Sequence, residues 1–141
     1  MNFLLLGSGD RRKQLAVEVE NLRPVIEQHG SIVFEDLTYT KEIDVDADYA
    51  IVVGGDGSIL RSAKQMGAKQ IPVIGVNFGK LGFLADILPA ELDQALHAIA
   101  SNEFTILEHL MIRCDVFVGE EKVCSELGLN EVAVLGGPPY S

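Results

Sequence analysis

Apolar residues in the first hundred positions fall alternately into short continuous runs and into stretches spaced by three and four, the signatures of buried strands and amphipathic helices. Phe3 to Leu6 is an unbroken apolar run closed by Gly7-Ser8-Gly9-Asp10 and reads as a buried strand. From about Arg11, the positions Leu15, Val19, Leu22 and Ile26 predict a helix that Gly30 stops and that Pro24 kinks or restarts. Ser31 to Glu35 and Tyr49 to Val53 are the next strands, separated by a polar, acidic connection from Thr38 to Asp48. A helix with Ile59, Leu60, Ala63 and Met66 on one side follows Gly54-Gly55-Asp56-Gly57, with Ser58 or Asp56 as its cap. Pro72 to Val76 predicts another strand, then a Gly-rich loop, then a helix from about Pro89 to Ala100, where Pro89 suits the first turn.

From Phe104 the pattern changes. Thr105 to Val118, Lys122 to Leu127 and Leu129 to Leu135 read as successive strands with turn signals at Gly119-Glu120 and Gly128. The expected fold class is α/β: a parallel-sheet α/β domain over residues 1–103, followed over 104–141 by the start of an antiparallel all-β domain. Three strands with one apolar face make a poor sandwich by themselves, and Gly136-Gly137-Pro138-Pro139-Tyr140-Ser141 is a loop composition, so the chain reads as truncated.

An apolar fraction of 48% over 141 residues supplies a packed core and argues against disorder or a disulfide-stapled miniprotein. Eleven basic against 21 acidic residues give a net charge of -10, which repels nucleic acid and anionic lipid, so a polyanionic ligand needs a local site or a metal. No apolar run approaches the roughly 20 residues of a membrane span, and the first residues lack a basic signal region; no nucleic acid or membrane partner and a cytoplasmic location are expected. Cys114 and Cys124 have no metal-ligand companions and read as reduced packing residues. His29, His97 and His109 lack partners at catalytic or ligand spacing, and no metal-ligating residues are assigned.

Ligands of an open parallel sheet sit outside the carboxyl ends of its strands, where helix N-termini converge. Two Gly-rich loops belong to that edge. Gly54-Gly55-Asp56-Gly57 leaves one strand and opens a helix; its glycines allow close backbone approach, and Asp56 can face a hydroxyl or a metal. Asn77-Phe78-Gly79-Lys80-Leu81-Gly82-Phe83 leaves the next strand and faces the first loop if the two strands are neighbours. Turn chemistry alone also accounts for a Gly-Gly-Asp-Gly turn. Gly7-Ser8-Gly9 is a plain turn, because Arg12 stands where a dinucleotide fingerprint needs its third glycine. Phe78 and Phe83 are by default core aromatics, and Asn130-Glu131 by default a solvated pair.

The combination of Gly54-Gly55-Asp56-Gly57-Ser58-Ile59-Leu60-Arg61, Asn77-Phe78-Gly79-Lys80-Leu81-Gly82-Phe83-Leu84 and Leu129-Asn130-Glu131-Val132 resembles the NAD kinase family. The first motif is shared with lipid kinases and 6-phosphofructokinases; the second discriminates among them. The resemblance runs from near Tyr49 to the end, and Ser58 stands where Thr is more usual. It implies ATP-dependent phosphorylation of the 2′-hydroxyl of the adenosine ribose of NAD, with Mg2+ or another divalent metal, ATP or polyphosphate as donor, and a homo-oligomer. By the same resemblance Asp56 is the general base and Gly55 and Gly57 admit the dinucleotide. Arg61 meets phosphate, Phe83 walls the nicotinamide or adenine pocket, and Asn130 with Glu131 holds ribose or phosphates. The alternatives are a lipid or sugar kinase sharing the turn, and an inactive truncated nucleotide-binding module. In the family the dinucleotide lies between two domains, so a truncated chain would hold half a site.

Overall fold

A computed structural model describes residues 1–7, 13–79 and 82–133. Among these, four parallel strands, β1 (Asn2–Gly7), β2 (Ser31–Asp36), β3 (Tyr49–Val53) and β4 (Val73–Val76), form a sheet in the order β2-β1-β3-β4. Helix α1 (Lys13–His29) links β1 to β2, and α2 (Asp56–Met66) links β3 to β4. After β4 the chain runs back beside the sheet, where Ile87 bridges Val76, and continues through a 3-10 turn (Pro89–Glu91) into α3 (Leu92–Ala100).

The near-continuous apolar runs in the strands are explained by burial on both faces of the sheet. Registers Leu5↔Ile51 and Ile51↔Ile74 place Phe3, Leu5, Ile51, Val53, Ile74 and Val76 on one face. There they form the principal core with Val19, Leu22 and Ile26 of α1 and Leu92 and Leu96 of α3. The alternate residues Leu4, Leu6, Ala50 and Val52 are equally buried, and α2 packs against their strands through its buried Ile59, Ala63 and Met66. Strand order reverses between β1 and β3, which is the crevice where open α/β sheets take ligands.

Several local expectations change. α1 crosses Pro24 without a restart, because the rest of a 17-residue helix and its packing outweigh one missing N–H; a start at Arg11 lies outside the described residues. Leu60, expected on the apolar side of α2, is 45% exposed; Ser62, at 0%, takes the inward position instead. Pro72 stays outside β4 because it has no N–H, although its carbonyl accepts from Ala50 N–H at 2.9 Å. His29, which has no partner at catalytic or ligand spacing in the sequence, meets Asp93 at 2.7 Å between Nε2 and Oδ1, a structural contact that joins α1 to the first turn of α3.

The second compact unit, Leu107–Ser141, contains an antiparallel hairpin of β5 (Met111–Val118) and β6 (Glu121–Leu129) turning at Gly119-Glu120. Of the three expected strands the first is shorter, the second is longer, and the third is not a separate strand among the described residues. Residues 105–110 are not strand: pairing begins at Met111↔Leu129, and nothing in β6 remains to hold the residues before it. β6 also continues through Gly128, where a break was expected. A Cβ there would meet the carbonyl oxygen of Glu131 at 2.6 Å, so the glycine serves close backbone approach inside a strand. The expected third strand begins within β6, residues 130–133 are not strand, and its last positions lie outside the described residues. Cys114 and Cys124 are free and sit opposite Glu126 and Val116 rather than each other.

At the end of β2, Asp36 is 1% exposed. Its Oδ1 accepts from Thr38 N–H at 2.8 Å and the Thr38 hydroxyl at 2.7 Å, and its Oδ2 from Lys41 N–H and Gln65 Nε2, each at 2.8 Å. Burial pushes this carboxyl up, but the bonds from Lys41, Thr38 and Gln65 outweigh it and hold it far below the usual carboxylate range. The stabilisation is therefore complete above about pH 4 and is lost as pH falls toward the lowered native pKa. Asp36→Asn should lower stability at pH 7 by about 1–3 kcal/mol, since an amide turns a donor toward buried donors. Urea denaturation at pH 7 and in acid checks this: the gap between the two proteins should narrow on acidification.

Candidate functional site

β3 and β4 pair directly, Val53 opposite Val76, and Gly54 N–H donates to the Val76 carbonyl at 2.9 Å. Both Gly-rich loops therefore leave neighbouring strands at the same carboxyl edge, fulfilling the condition on which the sequence argument placed them face to face. Gly54 has a φ of 134°, and a Cβ there would run into Ser58, so the turn out of β3 requires glycine.

Asp56 does not cap α2. The N-cap is Gly55, in extended conformation and without a side-chain bond, and Asp56 is the first residue of the helix. Its side chain instead spans to the second loop: Oδ2 accepts from Phe83 N–H at 3.0 Å, and Oδ1 from Leu84 N–H at 2.9 Å and Ala85 N–H at 3.2 Å. Hydrogen bonds from Phe83 and Leu84, with a smaller share from Ala85, lower its pKa against a partial desolvation that raises it. The carboxylate is half-buried, not sealed off. A carboxylate offers about four lone-pair positions, and three are taken, which leaves one on Oδ2.

Gly82 makes this contact possible, because a Cβ there would fall into the Asp56 carboxylate. The far side of the loop is braced by buried Asn77: its Oδ1 accepts from Gly79 N–H at 3.0 Å and its Nδ2 donates to the Ala85 carbonyl at 3.4 Å. Asn77 and Gly82 belong to the second Gly-rich motif, but their contacts were not foreseen from the sequence. The signal was their place in a loop opposite an acidic turn, but the bonds cross 27 to 29 residues and have no local pattern.

Of the expected site residues, Gly55 at the N-cap and Asp56, Gly57 and Arg61 on the first two turns of α2 lie together, and Phe83 reaches Asp56 through its backbone. A Cβ at Gly55 or Gly57 would meet nothing within 4 Å, so neither glycine is demanded by crowding within the protein. Arg61 is exposed and lies with its guanidinium carbon 5.9 Å from the centre of the Tyr39 ring. Phe83 is 99% exposed, which overturns its default reading as a core aromatic; Phe78 does pack against the core. Asn130 has a φ of 67°, donates its N–H to the Leu110 carbonyl at 2.8 Å and belongs with exposed Glu131 to the second unit. Lys80, Ser8 and Gly9 lie outside the described residues. Among the described residues no group of three or more His, Cys, Asp or Glu could hold a metal, and no helix is long and apolar enough to cross a membrane.

A parallel α/β sheet with a carboxylate on the first turn of the helix leaving its switch-point strand defines an α/β protein with its ligand edge at the strand termini. Residues 8–104 match the family of the ATP-NAD kinase N-terminal domain. An NAD kinase of Rhodopirellula baltica is 38% identical over 140 residues, covering 99% of this chain and 45% of the relative. An NAD kinase of Geobacter sulfurreducens is 37% identical over 129 residues, covering 86% and 43%. The chain belongs to the NAD kinase family and spans somewhat under half the length of these relatives. The fold is also that of yeast NADH kinase, whose crystal structure in complex with NADH superposes with a TM-score of 0.68 at 15% identity, over 92% of this chain and 46% of that one.

The bridge from Asp56 to Phe83, Leu84 and Ala85 should slow exchange of those three amides. Asp56→Ala should accelerate their hydrogen exchange about tenfold or more, roughly the loss of one charge-assisted bond, while β3 and β4 amides stay protected. Unchanged exchange at the three positions would show that the carboxylate does not hold the loop.

Proposed function

We propose that the whole protein is an ATP-dependent NAD kinase that phosphorylates the 2′-hydroxyl of the adenosine ribose to make NADP, with Asp56 as the residue that receives the hydroxyl. The observation that carries this reading is the orientation of Asp56 at the sheet edge: three backbone N–H groups fix the carboxylate and leave a lone pair of Oδ2 for one more donor. Family membership supports the choice of acceptor and donor. The open space beside Gly55 and Gly57 supports their role in admitting the dinucleotide.

In the reaction the 2′-oxygen attacks the γ-phosphorus of ATP, the bond to the leaving ADP oxygen breaks, and the hydroxyl proton passes to Asp56. A carboxylate whose pKa is lowered is a weak base, so Asp56 contributes first by orienting the hydroxyl, and the proton moves late. That order suits a loose phosphoryl-transfer transition state, in which the nucleophile gains little bonding before the leaving group departs. Arg61, one turn beyond Gly57 on α2, offers positive charge to phosphate on an otherwise acidic chain. Phe83, exposed on the second loop, is placed to lie against a base or nicotinamide ring. Asn130 and Glu131 are proposed to hold the ribose or phosphates. The described residues do not fit a protein-held divalent metal, so Mg2+ enters here only as part of the ATP substrate and no step runs through it. A cytoplasmic homo-oligomer completes the proposal.

With NAD, ATP and Mg2+, the whole protein should produce NADP. Asp56→Asn should reduce kcat by about 10²–10⁴. A panel of NAD, NADH, sugar and lipid acceptors in the same assay fixes the substrate, and an Asp56→Asn variant as fast as wild type would remove the carboxylate from the mechanism.

A further inference from the structure

Between β2 and β3 lies a loop to which the kinase reading assigns nothing, yet it is tied to the helix that carries Asp56. Asp36 is the origin of the tie. All four of its hydrogen-bond donors are neutral groups, two on Thr38, one on Lys41 and one on Gln65, while the Lys41 ammonium is directed elsewhere, to the Glu35 carbonyl at 2.8 Å. A buried carboxylate satisfied in this way fixes geometry rather than neutralising charge.

The bonds from Thr38 and Lys41 straddle Tyr39, which is held in the left-handed region with a φ of 59°. A non-glycine residue keeps that conformation only when its surroundings impose it. The consequence is that the Tyr39 side chain lies along α2. Its hydroxyl donates to the Ser58 carbonyl at 3.2 Å, and its ring lies 5.9 Å from the Arg61 guanidinium carbon. Gln65 closes the circuit, donating from Nε2 to Asp36 Oδ2 and to the Lys41 carbonyl, each at 2.8 Å. Ser58, Arg61 and Gln65 follow one another by three and four residues, so the loop grips a single stripe of the helix.

An exposed arginine samples many rotamers, and a ring beneath its guanidinium reduces that freedom and attracts the cation. We infer that Tyr39 is a positioning residue that holds Arg61 ready beside the first turn of α2 for the phosphate chain of a bound nucleotide. The inference rests on the kinase reading for the identity of the ligand.

The test is a double-mutant cycle in the whole protein, with Tyr39→Ala, Tyr39→Phe, Arg61→Ala and Tyr39→Ala/Arg61→Ala, read by KM and kcat for NAD and ATP and by calorimetric titration of each nucleotide. Tyr39→Ala should weaken one nucleotide by about two- to fivefold, the range of an exposed cation–π contact, in KM and Kd rather than in kcat. Tyr39→Phe, which keeps the ring and loses only the bond to Ser58, should restore the affinity. In the Arg61→Ala background Tyr39→Ala should cost nothing further. Equal losses in both backgrounds, an unchanged affinity, or a loss confined to kcat would overturn the positioning role. A wild type that binds nucleotides without forming NADP would defeat the kinase reading alone, since the binding cycle still decides on Tyr39; a wild type that binds neither nucleotide would defeat both.

Discussion

The site depends on one interaction, the acceptance of three backbone N–H groups by the Asp56 carboxylate. A helix that begins immediately after a strand brings its first residue to the sheet edge, and a loop from the neighbouring strand supplies the donors. The charge on Asp56 makes the bridge strong, and the bridge lowers the pKa that keeps Asp56 charged. Geometry and ionisation therefore sustain each other. Gly82 is the steric condition for both, because any side chain there would occupy the carboxylate's place.

For the proposed transfer, this bridge limits the chemistry as well as supporting it. A carboxylate with three donors has little basicity left, which favours alignment of an acceptor hydroxyl over its early deprotonation. Phosphoryl transfer tolerates such a weak base better than a reaction requiring a fully formed alkoxide. The buried Asp36 uses the same physics for a different end. Its four neutral donors saturate it, leaving no position for a substrate, so it bears on α2 through the loop it shapes and through Gln65.

Much of the first unit was legible along the chain. Tyr49–Val53 was delimited to the residue, and β1, β2 and α3 to within a few positions, because strands buried on both faces and helices with one apolar side leave strong local patterns. The second unit was less legible. Residues 105–110 have an apolar composition suited to a strand, yet no strand pairs with them among the described residues, while Gly128 resembles a turn signal and sits inside β6. Pairing partners and close backbone approaches are decided by register, which no single segment carries.

The candidate site divides in the same way. Local spacing and a family resemblance were enough to single out Asp56, its glycines, Arg61 and the second Gly-rich loop. The direction of the Asp56 side chain, the donors at Phe83, Leu84 and Ala85, and the approach of Arg61 to the Tyr39 ring arise between segments 22 to 29 residues apart. Sequence by itself determined which residues carry charge, freedom of backbone and apolar surface. Only the tertiary structure decided which of them meet, because hydrogen bonds and ring contacts depend on distances that parallel strand pairing sets across the sheet and that the order of residues does not encode locally.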